Sequence, residues 1–150
     1  EISARLKLSN DEFGALKNIV FWHLRPGYLA VNVYVTPRAV FLYFRDTGCE
    51  AISILLLSIA DQRSTRGPLT NDTERAHHEK VAFWLVNEYL RRKKEKKQAR
   101  LINGNEVMKR FKLGPSPLIG KVLAEIEELQ AIGKVRTRKE AFLAVRKIIA

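Results

Sequence analysis

Apolar side chains recur every three or four residues through most of this sequence, and the period-two alternation of a half-buried strand is scarcely seen. SNDEFGALKNIVFWHL has Ser9 as an N-cap and acids in its first turn. Phe13, Leu16, Ile19, Val20 and His23 or Leu24 then follow at helical spacing until Pro26 stops the helix. RPGYLAVNVYV reads as a turn-rich connection; VNVYV alternates weakly and is taken as loop. In TPRAVFLYFRDTG, Thr36 caps, Pro37 takes the first helical position and Gly48 ends the helix. The next helix, roughly Glu50 to Arg63, is apolar on nearly every face except its last turn, which predicts the central buried helix of a bundle.

GPLTND breaks the chain before a helix from about Asp72 to Ala99. Its apolar contacts are Val81, Trp84, Leu85 and Tyr89, and it ends in RRKKEKKQAR, seven basic residues with one acid. Beyond that run lies a compact stretch of about fifty residues. It holds a short helix in LINGNEVMKRF, a stiff KLGPSP turn, the long helix LIGKVLAEIEELQAIG closed by Gly133, a basic link KVRTR, and a last helix. That helix starts at Thr137, with Glu140 completing a capping box. The pattern predicts an all-α fold: a helical bundle with a smaller basic helical C-terminal subdomain.

Charge adds a partner to this picture. The 150 residues carry 27 Lys and Arg against 16 Asp and Glu, a net charge of +11, so a large partner is expected to be an anion. Residues 1 to 75 hold 9 basic and 8 acidic side chains, whereas residues 76 to 150 hold 18 and 8, which puts the basic function in the second half. The run at Arg91 to Arg100 reads either as a solvated helix end or linker, or as a polyanion contact. No stretch approaches the roughly twenty apolar residues of a membrane span, and no charged-then-apolar leader opens the chain. The first residue is Glu1 and the only methionine is Met108, so the chain is expected to be a piece of something longer.

Candidate chemistry concentrates at the entrance to the long tail helix. Pro117 suits the first helical position and Ser116 can cap the first turn. Free N–H groups and the positive end of the helix dipole then stand behind a Gly-Pro turn, with Lys121 on the first turn, a geometry that accepts a phosphate oxygen. A well-capped core helix is the other reading. Elsewhere there is little. The single cysteine, Cys49, sits among apolar residues and reads as a buried thiol with no chemistry. Trp22 and Trp84 read as core. His77 and His78 are adjacent on a helix, about 100° apart, and cannot both face one metal; surface or capping roles are expected for all three histidines. No nucleophile elbow, Walker loop or dinucleotide fingerprint is present.

LINGNEVM, then LGPSPLIGKVL, then a helix ending in GKVRTRKEA resemble, in order, the C-terminal segment of bacterial tRNA nucleotidyltransferases, the CCA-adding enzymes and their poly(A) polymerase relatives. RLKLSNDEF, VFWHLRP, TPRAVFLYFRDTG and LLLSIADQRSTRGP resemble the second part of the HD-type helical domain of many members. The resemblance implies a cytoplasmic parent enzyme that adds C, C and A, or A alone, to the 3′ end of RNA. Mg²⁺ and CTP or ATP would be held by paired carboxylates in an N-terminal catalytic head. This sequence has neither that head's Gly-Ser pair nor an Asp-x-Asp or Glu-x-Asp motif, so no catalytic residue and no cofactor is assigned to it.

HD hydrolases use a His, a His-Asp pair and a later Asp, and the sequence has no His-Asp dipeptide. Asp61 lies where the family places its late Asp and His23 lies in a second histidine-bearing motif; these are the metal candidates the resemblance leaves. The expected organisation is an HD-type helical body, in part, at residues 1–98 and a basic, tRNA-binding tail at residues 99–150. The expected partners are tRNA or another structured RNA, and the catalytic head of the same polypeptide. Candidate RNA contacts are Arg91, Arg92, Lys93 and Lys94 in the basic run, Gly114, Ser116, Gly120 and Lys121 at the helix entrance, and Lys134, Arg136 and Arg138 in the link. An HD-type metal phosphohydrolase fragment and a helical DNA-binding module are the alternatives.

Overall fold

The computed structural model describes residues 2–32, 34–65, 71–95 and 98–149. Among them the fold is all-α, with no strand. The helices are α1 (Ile2–Arg5), α2 (Asn10–Trp22), α3 (Arg25–Ala30), α4 (Pro37–Thr47), α5 (Ala51–Ser64), α6 (Asp72–Lys94), α7 (Gly104–Phe111), α8 (Pro117–Ala131) and α9 (Arg138–Ile149). A single 3₁₀ turn, Gly48–Glu50, joins α4 to α5. The chain forms two compact units, Glu1–Lys96 and Lys97–Ala150, each with its own core.

In the first unit the helix ends follow their caps. Ser9 and Glu12 form a reciprocal capping box on α2, and Thr36 Oγ1 accepts from the Ala39 N–H at the start of α4. Gly48, at φ +57°, ends α4 in a conformation that a side chain would oppose. α5 is the hub, packing on α2, α3, α4 and α6. Ile54, Leu55 and Ile59 from it meet Val40, Tyr43, Val81 and Leu85 in the core. Tyr43 is fully buried, and its hydroxyl donates to the Ala51 carbonyl at 2.8 Å, which ties α4 to the start of α5. Burial pushes the Tyr43 phenol above its ordinary pKa.

Several expectations for this unit are corrected. α2 does end before Pro26, at Trp22, but RPGYLA is not a turn-rich connection: it forms α3, with Pro26 buried in its first turn, where its missing N–H costs nothing. α5 is central but not buried all round, since Leu56 and Leu57 are 55% and 39% exposed. α2 buries no residue outright; Phe13, Leu16, Val20 and Leu24 are exposed and only Ile19 and Trp22 pack on the core. Trp84 is 46% exposed rather than core, and Cys49 is exposed rather than buried. α6 stops at Lys94, five residues short of Ala99, with four consecutive cations in its last turn, where the carbonyl end of the helix dipole favours them. The predicted break at Gly67 to Thr70 lies outside the described residues, as do Val33 of VNVYV and Lys96 and Lys97 of the basic run.

The second unit is a three-helix arrangement in which α8 packs on both α7 and α9. Ile102, Val107, Ile119, Val122, Ile126, Val135, Ala141 and Val145 are its buried core. Asn103 and Glu106 form a capping box on α7. A Cβ on Gly104 would lie 3.4 Å from an Ile119 methyl carbon, so glycine lets α7 begin close against α8. Gly133, at φ +77°, turns the chain after α8, and the Lys134 and Val135 N–H groups both donate back to the Leu129 carbonyl. The Thr137–Glu140 box expected for the last helix is present.

Candidate nucleic-acid interface

The predicted contacts fall on three structural features. The first is the end of α6, in the first unit. Arg91 donates to both Glu88 oxygens at 2.9 and 2.7 Å and also pairs with Glu95; Arg92 donates to Glu88 at 2.7 Å. The Arg92 guanidinium also lies 5.3 Å from the centre of the Phe44 ring. Hydrogen bonds from Arg91, then Arg92, hold the Glu88 carboxylate far below its usual range, at about 2. A phosphate arriving at either arginine therefore competes with an ionised carboxylate already in place. Lys93 and Lys94 are exposed on the same turn.

The second feature is the entrance to α8. Gly114, Ser116, Gly120 and Lys121 are all exposed. Ser116 occupies the N-cap position with extended backbone, but its side chain makes no capping hydrogen bond, which corrects the expected role. The first-turn amides are thus left without that acceptor. A Cβ on Gly120 would meet nothing within 4 Å, so the helix surface beside Lys121 is open. The apolar face of α8 carries Ile119, Val122 and Ile126, and helical spacing puts Lys121 on the opposite side.

The third feature is the link into α9. Lys134 is exposed. Arg136 donates from its backbone N–H to Glu140 at 2.7 Å and from Nε to the Gly133 carbonyl at 3.2 Å, so its side chain folds back on the turn. Arg138 reaches across to Glu106 of α7. Hydrogen bonding from Arg138 and from the Asn103 N–H holds Glu106 below the usual carboxylate range. Sequence reasoning missed the Arg138–Glu106 pair because the two lie 32 residues apart. It also passed over Arg110, whose guanidinium lies 4.6 Å from the centre of the Phe142 ring; the only advance signal was that basic residues flank Phe142 at helical spacing.

The metal candidates lie in the first unit. A cavity of about 680 Å³ is lined by Asp61, Gln62, Ser58, Arg75, His77 and His78 among others. His23 is not in that lining; its Nδ1 donates to the Val20 carbonyl at 2.7 Å. His78 is buried between α5 and α6, where Nδ1 donates to Gln62 Oε1 and Nε2 accepts from the Ser58 hydroxyl at 3.0 Å. His77 Nε2 donates to the Asn32 carbonyl at 3.4 Å. Among the described residues no group of three or more His, Cys, Asp or Glu is placed to hold a metal ion. No helix among them is long and apolar enough to cross a membrane.

Comparison with known proteins agrees with the resemblance read from the motifs. Residues 73–145 match the family model described as tRNA nucleotidyltransferase domain 2. An A-adding tRNA nucleotidyltransferase of Deinococcus radiodurans is 33% identical over 97 residues, which is 63% of this chain and 21% of that protein. The chain thus spans about a fifth of the length of the curated relative. No solved structure matches. The matched region takes in the basic end of α6, the α8 entrance and most of α9, and it makes this chain a relative of the tRNA nucleotidyltransferases.

Proposed function

We propose that this chain is the C-terminal RNA-binding portion of a tRNA nucleotidyltransferase or poly(A) polymerase-like enzyme. It holds the acceptor and T-arm side of tRNA, or another structured RNA, for C, C and A or A addition by a catalytic head that this sequence does not contain. The observation that carries the reading is the match of residues 73–145 to tRNA nucleotidyltransferase domain 2, over the half of the chain that holds nearly all of its excess positive charge. A-form RNA offers phosphates and 2′-hydroxyls rather than a readable major groove, so a rigid set of helices displaying cations and helix N-termini suits it. Mg²⁺ and CTP or ATP belong to the head, as does the choice between CCA, partial and poly(A) addition.

Two measurements on the purified chain test this. In a filter-binding titration it binds deacylated tRNA more tightly than duplex DNA of equal phosphate number, with affinity falling steeply as salt rises. Incubated with Mg²⁺, CTP, ATP and a tRNA lacking its 3′ end, it incorporates no label. Equal affinity for duplex DNA would favour a DNA-binding module, and template-independent incorporation would contradict the assignment of chemistry to the head.

A further inference from the structure

A further basic cluster lies on the α9 side of the C-terminal unit. Lys139, Phe142 and Arg146 stand at i, i+3 and i+7 of α9, so they form one stripe, about 10 Å from end to end along the axis. The Arg110 guanidinium of α7 covers the middle of that stripe, over the Phe142 ring. Phe142 is half-buried and packs tilted against Phe111, with ring centres 6.4 Å apart, which fixes the platform. Lys139, Arg146 and Arg110 are exposed, and among the described residues none of the three has an ion-pair partner.

Among the described residues, this differs from Arg91, Arg92, Arg100 and Arg138. Each of those four has a glutamate on its N–H groups, so an incoming phosphate must displace a carboxylate. Arg110 is held by the face of its guanidinium, which leaves the N–H edges free and already immobilised, so a phosphate displaces only water. Two carboxylates on the same helices, Glu106 four residues before Arg110 and Glu140 next to Lys139, already have partners. Glu106 is taken by Arg138 and the Asn103 N–H, and Glu140 by the backbone N–H groups of Arg136 and Thr137.

We propose that Arg110, stacked on Phe142 and flanked by Lys139 and Arg146, is a contact for the phosphate backbone of structured RNA. The proposal rests on the RNA-binding reading above and names a surface which that reading did not include. Neutralising any one of the three cations removes one ion pair and its released counterion, whereas the ring contributes by orienting the guanidinium.

The test is a fluorescence-anisotropy titration of the full chain with deacylated tRNA at two salt concentrations, with circular dichroism to confirm helicity. Arg110→Ala weakens binding about tenfold at the lower salt and makes the log-log salt slope shallower by nearly one unit. Arg110→Lys keeps the slope and loses part of the affinity, because the charge stays and the planar fork goes. The double variant Lys139→Gln, Arg146→Gln makes the slope shallower by nearly two units. If the unaltered chain binds tRNA and these variants match it in affinity and slope, this inference falls and the RNA-binding reading stands. If the unaltered chain does not bind tRNA at either salt, both fall. Equal affinity for duplex DNA, with the same loss in Arg110→Ala, overturns the assignment to RNA.

Discussion

Asn103 and Ser116 hold the same place, the residue before a tail helix, and act differently there. Asn103 Oδ1 accepts from the Glu106 N–H at 3.0 Å, while Glu106 returns a bond to the Asn103 N–H at 2.9 Å. The Ser116 side chain makes no capping bond. Asn103→Ala is therefore expected to destabilise α7 by about 1 kcal/mol, and Ser116→Ala to change α8 by no more than a few tenths of that order. Hydrogen exchange on the amides of the two helices measures both; equal effects would contradict the assignment. Caps of this kind were legible in the sequence wherever donor and acceptor lie within three residues, as at Ser9, Thr36 and Thr137. Ser116 shows the limit, because residue type licenses a cap without orienting the hydroxyl toward the amide.

At the scale of elements, helices were legible because their apolar period and end signals are local, and burial was not, because it depends on what packs against each face. α2 shows this: its stripe of Phe13, Leu16 and Val20 has good helical spacing and remains exposed. The α5–α6 pairing has a polar feature that periodicity could not reveal. His78 is 5% exposed, bridges Ser58 and Gln62 of α5, and is pushed by burial below the ordinary histidine pKa, with Glu79 opposing that shift. A histidine whose folded-state pKa is depressed contributes stability above its unfolded pKa of about 6.5. That contribution is lost as pH falls through this value toward the folded one, since the unfolded state then binds more protons. The melting temperature should fall between pH 7.5 and 5.5, above the range in which the carboxylates titrate. His78→Gln should be less stable than the unaltered chain at pH 7.5, with a gap that narrows at pH 5.5. A gap independent of pH would mean that His78 packs without titrating.

For the whole molecule, the division of charge along the sequence was the most informative single number, since it pointed to the half that the family model also matches. The finer map of the surface was not legible. Arg138 finds Glu106 and Arg110 finds Phe142 only after α7 and α9 are folded onto α8, and no local pattern encodes partners about thirty residues away. The central claim is that the C-terminal unit, Lys97–Ala150, meets tRNA. Lysine acetylation, read by mass spectrometry with and without saturating deacylated tRNA, tests it most directly. Lys121, Lys134, Lys139, Lys17 and Lys80 are all exposed in the folded chain and so react when it is free. The account predicts that tRNA slows Lys121, Lys134 and Lys139 severalfold and leaves Lys17 and Lys80 unchanged. Protection of Lys17 and Lys80, with the three tail lysines reacting as in the free protein, would contradict it.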